Sequence, residues 1–263
     1  MKDISNHVAI ITGSSSGVGA ATAKLFASLG CHVVINYNSN STGADEVAAA
    51  CEAFGVETLV MKANVAQDEN CLELVAGAMA KWGRVNILVN NAGTTKFNDH
   101  AKLHGLSAED FHHIYGVNVV GTYQMTRAVH DAMNDSGETV DVVNIASIAG
   151  VTGIGSSIAY AASKGAMVTM TLSLARALGP AMRVNAICPG FIEGEWLREG
   201  IGDEKYEQAR NYNSQNSAMR ANATPELVAD SILQFVVGSQ VITGETLIVD
   251  GGRHLSTAPL SRR

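Results

Sequence analysis

The sequence predicts an α/β fold: a doubly wound parallel sheet of seven strands with helices on both faces, built as one domain over residues 1–263. Short apolar runs of strand length alternate with longer helical patterns along most of the chain. The first apolar run passes through a glycine-rich turn straight into a helix, and no low-complexity linker breaks the alternation.

The first strand is His7–Ile11, a continuous apolar run of the kind buried on both faces of a parallel sheet. It ends in Thr12-Gly13-Ser14-Ser15-Ser16-Gly17-Val18-Gly19, and a helical pattern from Ala20 to Leu29 closes at Gly30. A helix entered this way offers unpaired N–H groups and a positive dipole end to an anion. The spacing is G-x-x-x-G-x-G rather than G-x-G-x-x-G, so a ligand-free Gly/Ser turn competes with phosphate binding. Its place after the first strand favours a dinucleotide. Cys31–Tyr37 is the second strand, and the run Asn36-Tyr37-Asn38-Ser39-Asn40 stands where a ribose selector is expected. It has no acid to repel a 2′-phosphate and no Arg to bind one. Neutral donors favour NADP, with NAD as the alternative.

Helix Gly43–Phe54, strand Thr58–Met61, helix Gln67–Trp82 and strand Val85–Val89 continue the alternation. Asn90-Asn91-Ala92-Gly93 then forms a small-residue turn, a ligand approach or a plain loop. Lys96–Ala108 is polar, Phe111–Met133 reads as one long helix containing Asn118, and Val140–Ile145 is the fifth strand. Ser147 stands at that strand's carboxyl end, the edge where open α/β sheets bind ligands, or serves as an ordinary turn serine. Ile148–Ser156 reads as a glycine-rich loop, and Arg183–Ile187 as the sixth strand, ending in Cys188-Pro189-Gly190. Phe191–Ala223 reads as irregular, with short helical patches; a segment of that length suits a substrate loop, placed at about 190–223. A helix from Thr224-Pro225 to about Val237 and a seventh strand, Thr246–Val249, complete the pattern before Asp250-Gly251-Gly252 and a polar tail.

The stretch with the most chemistry is the helix between Ser157 and Pro180. Tyr160 and Lys164 lie four residues apart and share a face. A nearby ammonium favours the phenolate, so this pair suits proton transfer to or from a carbonyl or alcohol oxygen. Alone, such a pair is most often an ordinary surface contact.

Bulk properties narrow the class. The chain of 263 residues is 46% hydrophobic and 16% charged, enough for a sizeable core. The net charge of −7 argues against a nucleic-acid surface. No apolar run is long enough to span a membrane. The polar Met1–His7 stretch does not read as a secretory signal, which implies a cytoplasmic protein. Cys31, Cys51, Cys71 and Cys188 lack metal-ligand spacing and read as buried thiols. His100 and His104 have no acidic or thiol partner at matching spacing, and the adjacent His112 and His113 face different directions on a helix; no metal is expected.

Taken together, Thr12-Gly13-x-x-x-Gly17-x-Gly19, Asn90-Asn91-Ala92-Gly93, Asn118, Ser147, Tyr160-x-x-x-Lys164, Pro189-Gly190 and Val249-Asp250-Gly251-Gly252 resemble the short-chain dehydrogenase/reductase family over nearly the whole length. The resemblance implies a single Rossmann domain and hydride transfer between a nicotinamide and a carbonyl or secondary alcohol. By resemblance, Asn118, Ser147, Tyr160 and Lys164 are the catalytic set. Tyr160 carries the proton, Ser147 stabilises the same oxygen, Lys164 lowers the Tyr160 pKa and holds the nicotinamide ribose, and Asn118 fixes a relay water. The implied dinucleotide contacts are Thr12, Gly13, Ser15, Ser16, Gly17, Val18, Gly19, Asn36, Tyr37, Asn38, Ser39, Asn64, Val65, Asn91, Ala92, Gly93, Tyr160, Lys164, Pro189, Gly190 and Ile192. Gly194 departs from the family's frequent Pro-Gly-x-x-x-Thr pattern, so carboxamide anchoring must come from backbone or elsewhere.

The resemblance is nearest to NADPH-dependent 3-oxoacyl-carrier-protein reductases. The alternatives are an NAD-dependent sugar or polyol dehydrogenase and a non-catalytic dinucleotide-binding regulatory protein. Similar proteins are commonly homotetramers acting on small-molecule substrates.

Overall fold

The computed structural model describes residues 2–255; the end of the polar tail lies outside the described residues. Seven parallel strands form one sheet: β1 (Val8–Ile11), β2 (His32–Tyr37), β3 (Thr58–Lys62), β4 (Ile87–Asn90), β5 (Val140–Ile145), β6 (Met182–Pro189) and β7 (Thr246–Val249), in the order β3-β2-β1-β4-β5-β6-β7. The order reverses between β1 and β4. That opens a crevice at the carboxyl edge, the switch point of a doubly wound sheet.

Strand side chains alternate between two buried layers, which is why β1 and β4 are apolar up to their last residues. Ala9, Ile11, Val33, Ile35, Ile87 and Val89 pack against α1 (Gly17–Ser28), α2 (Ser41–Glu52) and α10 (Pro225–Val237). Val8, Ile10, Val34, Leu88, Val142 and Val184 pack against α3 (Asp68–Trp82), α5 (Gly121–Met133) and α7 (Ile158–Leu178). Each local signal has a physical counterpart. Ser157 caps α7 by accepting from the Tyr160 N–H, and Thr224 caps α10 with Pro225 in its first turn.

Three expected segments differ from the structure. The long helix predicted over 111–133 begins at Ala108, capped by a reciprocal Ser107–Asp110 pair, and runs as α4 (Ala108–Tyr115). It then widens into a π-helical turn over Gly116–Val120 before continuing as α5. The π-turn holds Asn118, fully buried. The predicted loop 148–156 contains a helical turn, α6 (Ala149–Thr152), ended by Gly153 in the left-handed region. The predicted irregular segment 191–223 is mostly helix: α8 (Glu195–Ile201) and α9 (Asp203–Asn216). Asp203 and Glu204 favour the α9 start electrostatically, and Tyr206 is its buried anchor.

Behind the sheet, Asp141 is 2% exposed and pairs with Arg183 at 2.6 Å and Lys2 at 2.9 Å. Arg183 also donates to the Phe235 carbonyl at the end of α10, which ties that helix to the sheet.

Candidate active site

The glycine turn is held by β4's exit loop. Thr12 Oγ1 accepts from the Asn91 and Ala92 N–H groups, and Asn91 Nδ2 donates to the Thr12 and Gly13 carbonyls. Thr12 and the Asn91 side chain are therefore spent on shaping the turn. Gly13 and Gly17 have φ of 62° and 54°, in the left-handed region that favours glycine. A Cβ on Gly19 would come within 2.6 Å of Asn91 Nδ2 and the Gly13 carbonyl, so only glycine lets α1 pack this closely. A Cβ on Gly17 would meet nothing, so the crest of the turn faces open space. Ser16 makes no side-chain cap bond, and the start of α1 is left free to receive an anion. Exposed Ser16 and Gly17, half-buried Ser15 and Val18, and an open crest fit a dinucleotide pyrophosphate.

Asn36, expected at the ribose, has its side chain bonded within the fold. It is 2% exposed; its Oδ1 accepts from the Gly13 N–H and its Nδ2 donates to the Ala63 carbonyl. Its side chain braces the turn and has no capacity left for a phosphate. Asn38 and Ser39 are exposed, Tyr37 is half-buried, and Asn40 caps α2 through the Gly43 N–H. Asn64 Oδ1 accepts from the Ala66 N–H, and Val65 is buried against Gly121. Pro189 ends β6, Gly190 packs against Asp250, and half-buried Ile192 bridges to Ala223.

The four polar residues singled out in the sequence lie in one place. The Ser147 side chain lies near enough to the Tyr160 hydroxyl to favour its ionised form. Lys164 Nζ lies 5.6 Å from the centre of the Tyr160 ring, so the two residues of α7 do share a face. Lys164 Nζ donates to the Ile145 carbonyl at 2.7 Å and contacts Met167 Sδ. A Cβ on Gly93 would sit 3.6 Å from that ammonium and 3.5 Å from Asn118 Oδ1, which places the β4 exit loop beside both. Asn118 Oδ1 accepts from the Thr94 N–H, and Asn118 Nδ2 donates to the Thr94 carbonyl and to Ser163 Oγ. Ser163 Oγ in turn donates to the Tyr160 carbonyl at 2.7 Å.

The electrostatics run against one expectation. Burial pushes the Tyr160 hydroxyl up to about 12, outweighing the opposite pull of the neighbouring Ser147 side chain. Burial instead brings the Lys164 ammonium down to about 8. A phenol held protonated beside a hydroxyl donor suits giving a proton to an oxygen that gains negative charge.

Sequence reading missed the support behind this set. Asn90 Nδ2 donates to Asn144 Oδ1 and Thr126 Oγ1, and Asn144 Nδ2 donates to Thr171 Oγ1. These buried amides at strand ends fix β4, β5 and α7 in register, and their only trace in the sequence is a polar residue closing an apolar run. Ser14 was also missed: its Oγ donates to the Ile11 carbonyl and accepts from the Asn36 N–H.

Among the described residues, no cluster of three His, Cys, Asp or Glu could hold a metal, and no helix is long and apolar enough to cross a membrane.

Comparison with known proteins places the chain. The family model described as Enoyl-(Acyl carrier protein) reductase matches residues 13–254. The protein assigned as ketoacyl reductase 2 of the granaticin polyketide synthase of Streptomyces violaceoruber is 38% identical, over 94% of this chain and 96% of its own. Glucose 1-dehydrogenase 2 of Bacillus subtilis is 34% identical, over 98% of this chain and 99% of its own. A crystal structure of a Burkholderia xenovorans protein assigned to the short-chain dehydrogenase/reductases superposes with a TM-score of 0.87 at 37% identity, covering 95% of this chain and 99% of that one. The chain belongs to the short-chain dehydrogenase/reductase family and is an oxidoreductase acting on CH–OH groups with a nicotinamide dinucleotide.

Proposed function

We propose that this enzyme is an NADPH-dependent carbonyl reductase of the 3-oxoacyl type, with Ser147, Tyr160, Lys164 and Asn118 as its catalytic set. The observation that carries the reading is the Tyr160–Lys164 pair on one face of α7, with Lys164 Nζ 5.6 Å from the centre of the Tyr160 ring and the Ser147 side chain beside the hydroxyl. Bound nicotinamide supplies the hydride. Tyr160 donates its proton to the carbonyl oxygen, and Ser147 donates a hydrogen bond to the same atom as negative charge develops there. Lys164, held by the Ile145 carbonyl, keeps a positive charge near the Tyr160 ring and stabilises the phenolate left by proton transfer. Asn118, locked between Thr94 and Ser163, fixes the turn that packs against Lys164 and Gly93.

Cofactor contacts come from the Gly13–Gly19 turn, Asn38, Ser39, Asn64, Val65, Ala92, Gly93 and the Pro189–Ile192 segment. Two exposed neutral side chains, Asn38 and Ser39, and the absence of an acid after β2 support NADP over NAD. Residues 190–223 form the substrate loop. A homotetramer in the cytoplasm completes the proposal by analogy with the family. A glucose dehydrogenase relative supports a sugar dehydrogenase as the second reading.

The test is turnover by purified enzyme on a panel of β-keto esters, methyl ketones and ketoses, alongside dissociation constants for NADPH and NADH. The proposal predicts ketone reduction and tighter NADPH binding. Preference for NADH with oxidation of sugars alone would favour the second reading, and cofactor binding without turnover on any substrate would favour a regulatory role.

A further inference from the structure

The stretch that follows Gly93 is stitched to the loop in front of Tyr160. Thr95 Oγ1 and Ser156 Oγ lie 2.7 Å apart, Asn98 N–H donates to the Ser156 carbonyl, and His100 Nε2 lies 3.0 Å from the Gly155 carbonyl. A Cβ on Gly155 would sit 3.4 Å from Tyr160 Cδ1, so this stitched pair of loops forms one wall beside the phenol.

Phe97 projects from that wall to α8. Its ring lies 5.7 Å from that of Trp196, and a Cβ on Gly200 would collide with it at 2.0 Å. The helix α8 buries none of its residues, yet carries a tryptophan left 55% exposed. Ile154, 77% exposed, stands on the loop beside Gly155. An apolar surface of this kind next to polar chemistry marks a binding site more often than a solvent face.

Charge near the aromatic pair is already neutralised. Lys96, beside Phe97, pairs with Asp110 at 2.6 Å. Arg198, two residues from Trp196, pairs with Asp203 and Glu207 at 3.0 Å each and lies over the Tyr206 ring. Neither cation is free to receive a carboxylate or phosphate.

We infer that Phe97, Trp196 and Ile154 form an apolar subsite for the part of the substrate beyond the carbonyl, selecting an uncharged alkyl or aryl ketone over hydroxylated or anionic ones. The inference rests on the reading of Tyr160 as the proton donor to a carbonyl. It deepens that reading by naming what the carbonyl carries. Trp196 is the main selecting residue, because its ring is exposed and its removal leaves Phe97 and the loop bonds in place.

The test uses the full chain with NADPH and a methyl ketone series from butanone to decanone, with a ketose and a keto acid as polar controls. Wild type is expected to gain about fourfold in kcat/KM per buried methylene until the subsite is filled. Trp196→Ala is expected to flatten that slope through KM, with the loss growing from butanone to decanone. An equal slope in wild type and Trp196→Ala, or a ketose or keto acid preferred over decanone, overturns the subsite. Binding is read separately in a Trp82→Phe background, which leaves Trp196 as the sole tryptophan, since the chain has two. Decanone is expected to change Trp196 fluorescence saturably. No change overturns the subsite whatever the turnover. A saturable change without reduction of any ketone overturns the catalytic reading and leaves the subsite standing.

Discussion

Replacing Lys164 by Met separates the cost of burying its charge from its role in the reaction. Lys164 is 3% exposed, and burial lowers its pKa from 10.5 to about 8. At neutral pH both folded and unfolded chains hold the proton, so the folded state carries the penalty of a buried ammonium. The gap between the two values corresponds to about 3 kcal/mol. Met keeps all but the last atom of the side chain's length and removes the charge, but it also frees the Ile145 carbonyl, a loss of about 1–3 kcal/mol. Lys164→Met is therefore expected to be as stable as wild type at neutral pH, or more stable by up to about 2 kcal/mol.

The pH dependence is the sharper test. Above about 8 the folded state releases the Lys164 proton while the unfolded state keeps it to 10.5. The unfolded state then binds more protons, so wild-type stability contributed by Lys164 rises with pH across that window. Buried thiols and Tyr160 also titrate there in both proteins and largely cancel in the difference, apart from Cys188, whose titration feels the Lys164 charge. Urea unfolding of both proteins from about pH 7 to pH 10 should show wild type gaining about 2–3 kcal/mol on the variant. Parallel stability curves would refute the claim that burial sets the state of this lysine.

Three further outcomes follow from named contacts. Gly19→Ala places a Cβ within 2.6 Å of Asn91 Nδ2 and the Gly13 carbonyl, so NADPH affinity should fall at least tenfold by titration and stability by about 1–3 kcal/mol by thermal unfolding. Asp141→Asn leaves Arg183 charged and uncompensated in the interior, and denaturant unfolding should show a loss of about 3–5 kcal/mol with cofactor affinity retained in the folded fraction. The rate of ketone reduction should decline as pH rises through about 8, because Lys164 loses the charge that stabilises the phenolate; a profile flat through this range would remove Lys164 from the chemical step.

The sheet was legible because burial on both faces leaves no choice of residue: Val8–Ile11 and Ile87–Val89 have to be apolar throughout. The glycine turn was legible because its φ values and the approach at Gly19 exclude side chains. Other features left weaker traces. The helix α9 has the sequence of a polar loop, since it buries only Tyr206 and so shows no apolar period. The π-turn changes the hydrogen-bond register without changing composition, and Asn118 was its only mark. Asn36 occupied the position of a ribose contact, but its use depends on Gly13 and Ala63, which the fold brings together from either side. The direction of the Tyr160 shift was likewise out of reach. Four-residue spacing places an ammonium near the phenol, while the depth of burial that outweighs it belongs to the packed fold.

The most direct measurement is single-turnover reduction by Tyr160→Phe, mixed with NADPH and a ketone that wild type reduces. Tyr160 as proton donor predicts NADPH binding within a few-fold of wild type and a hydride-transfer rate lower by a factor of about a hundred or more. A rate close to wild type would contradict it, and the proton would then have to come from another group.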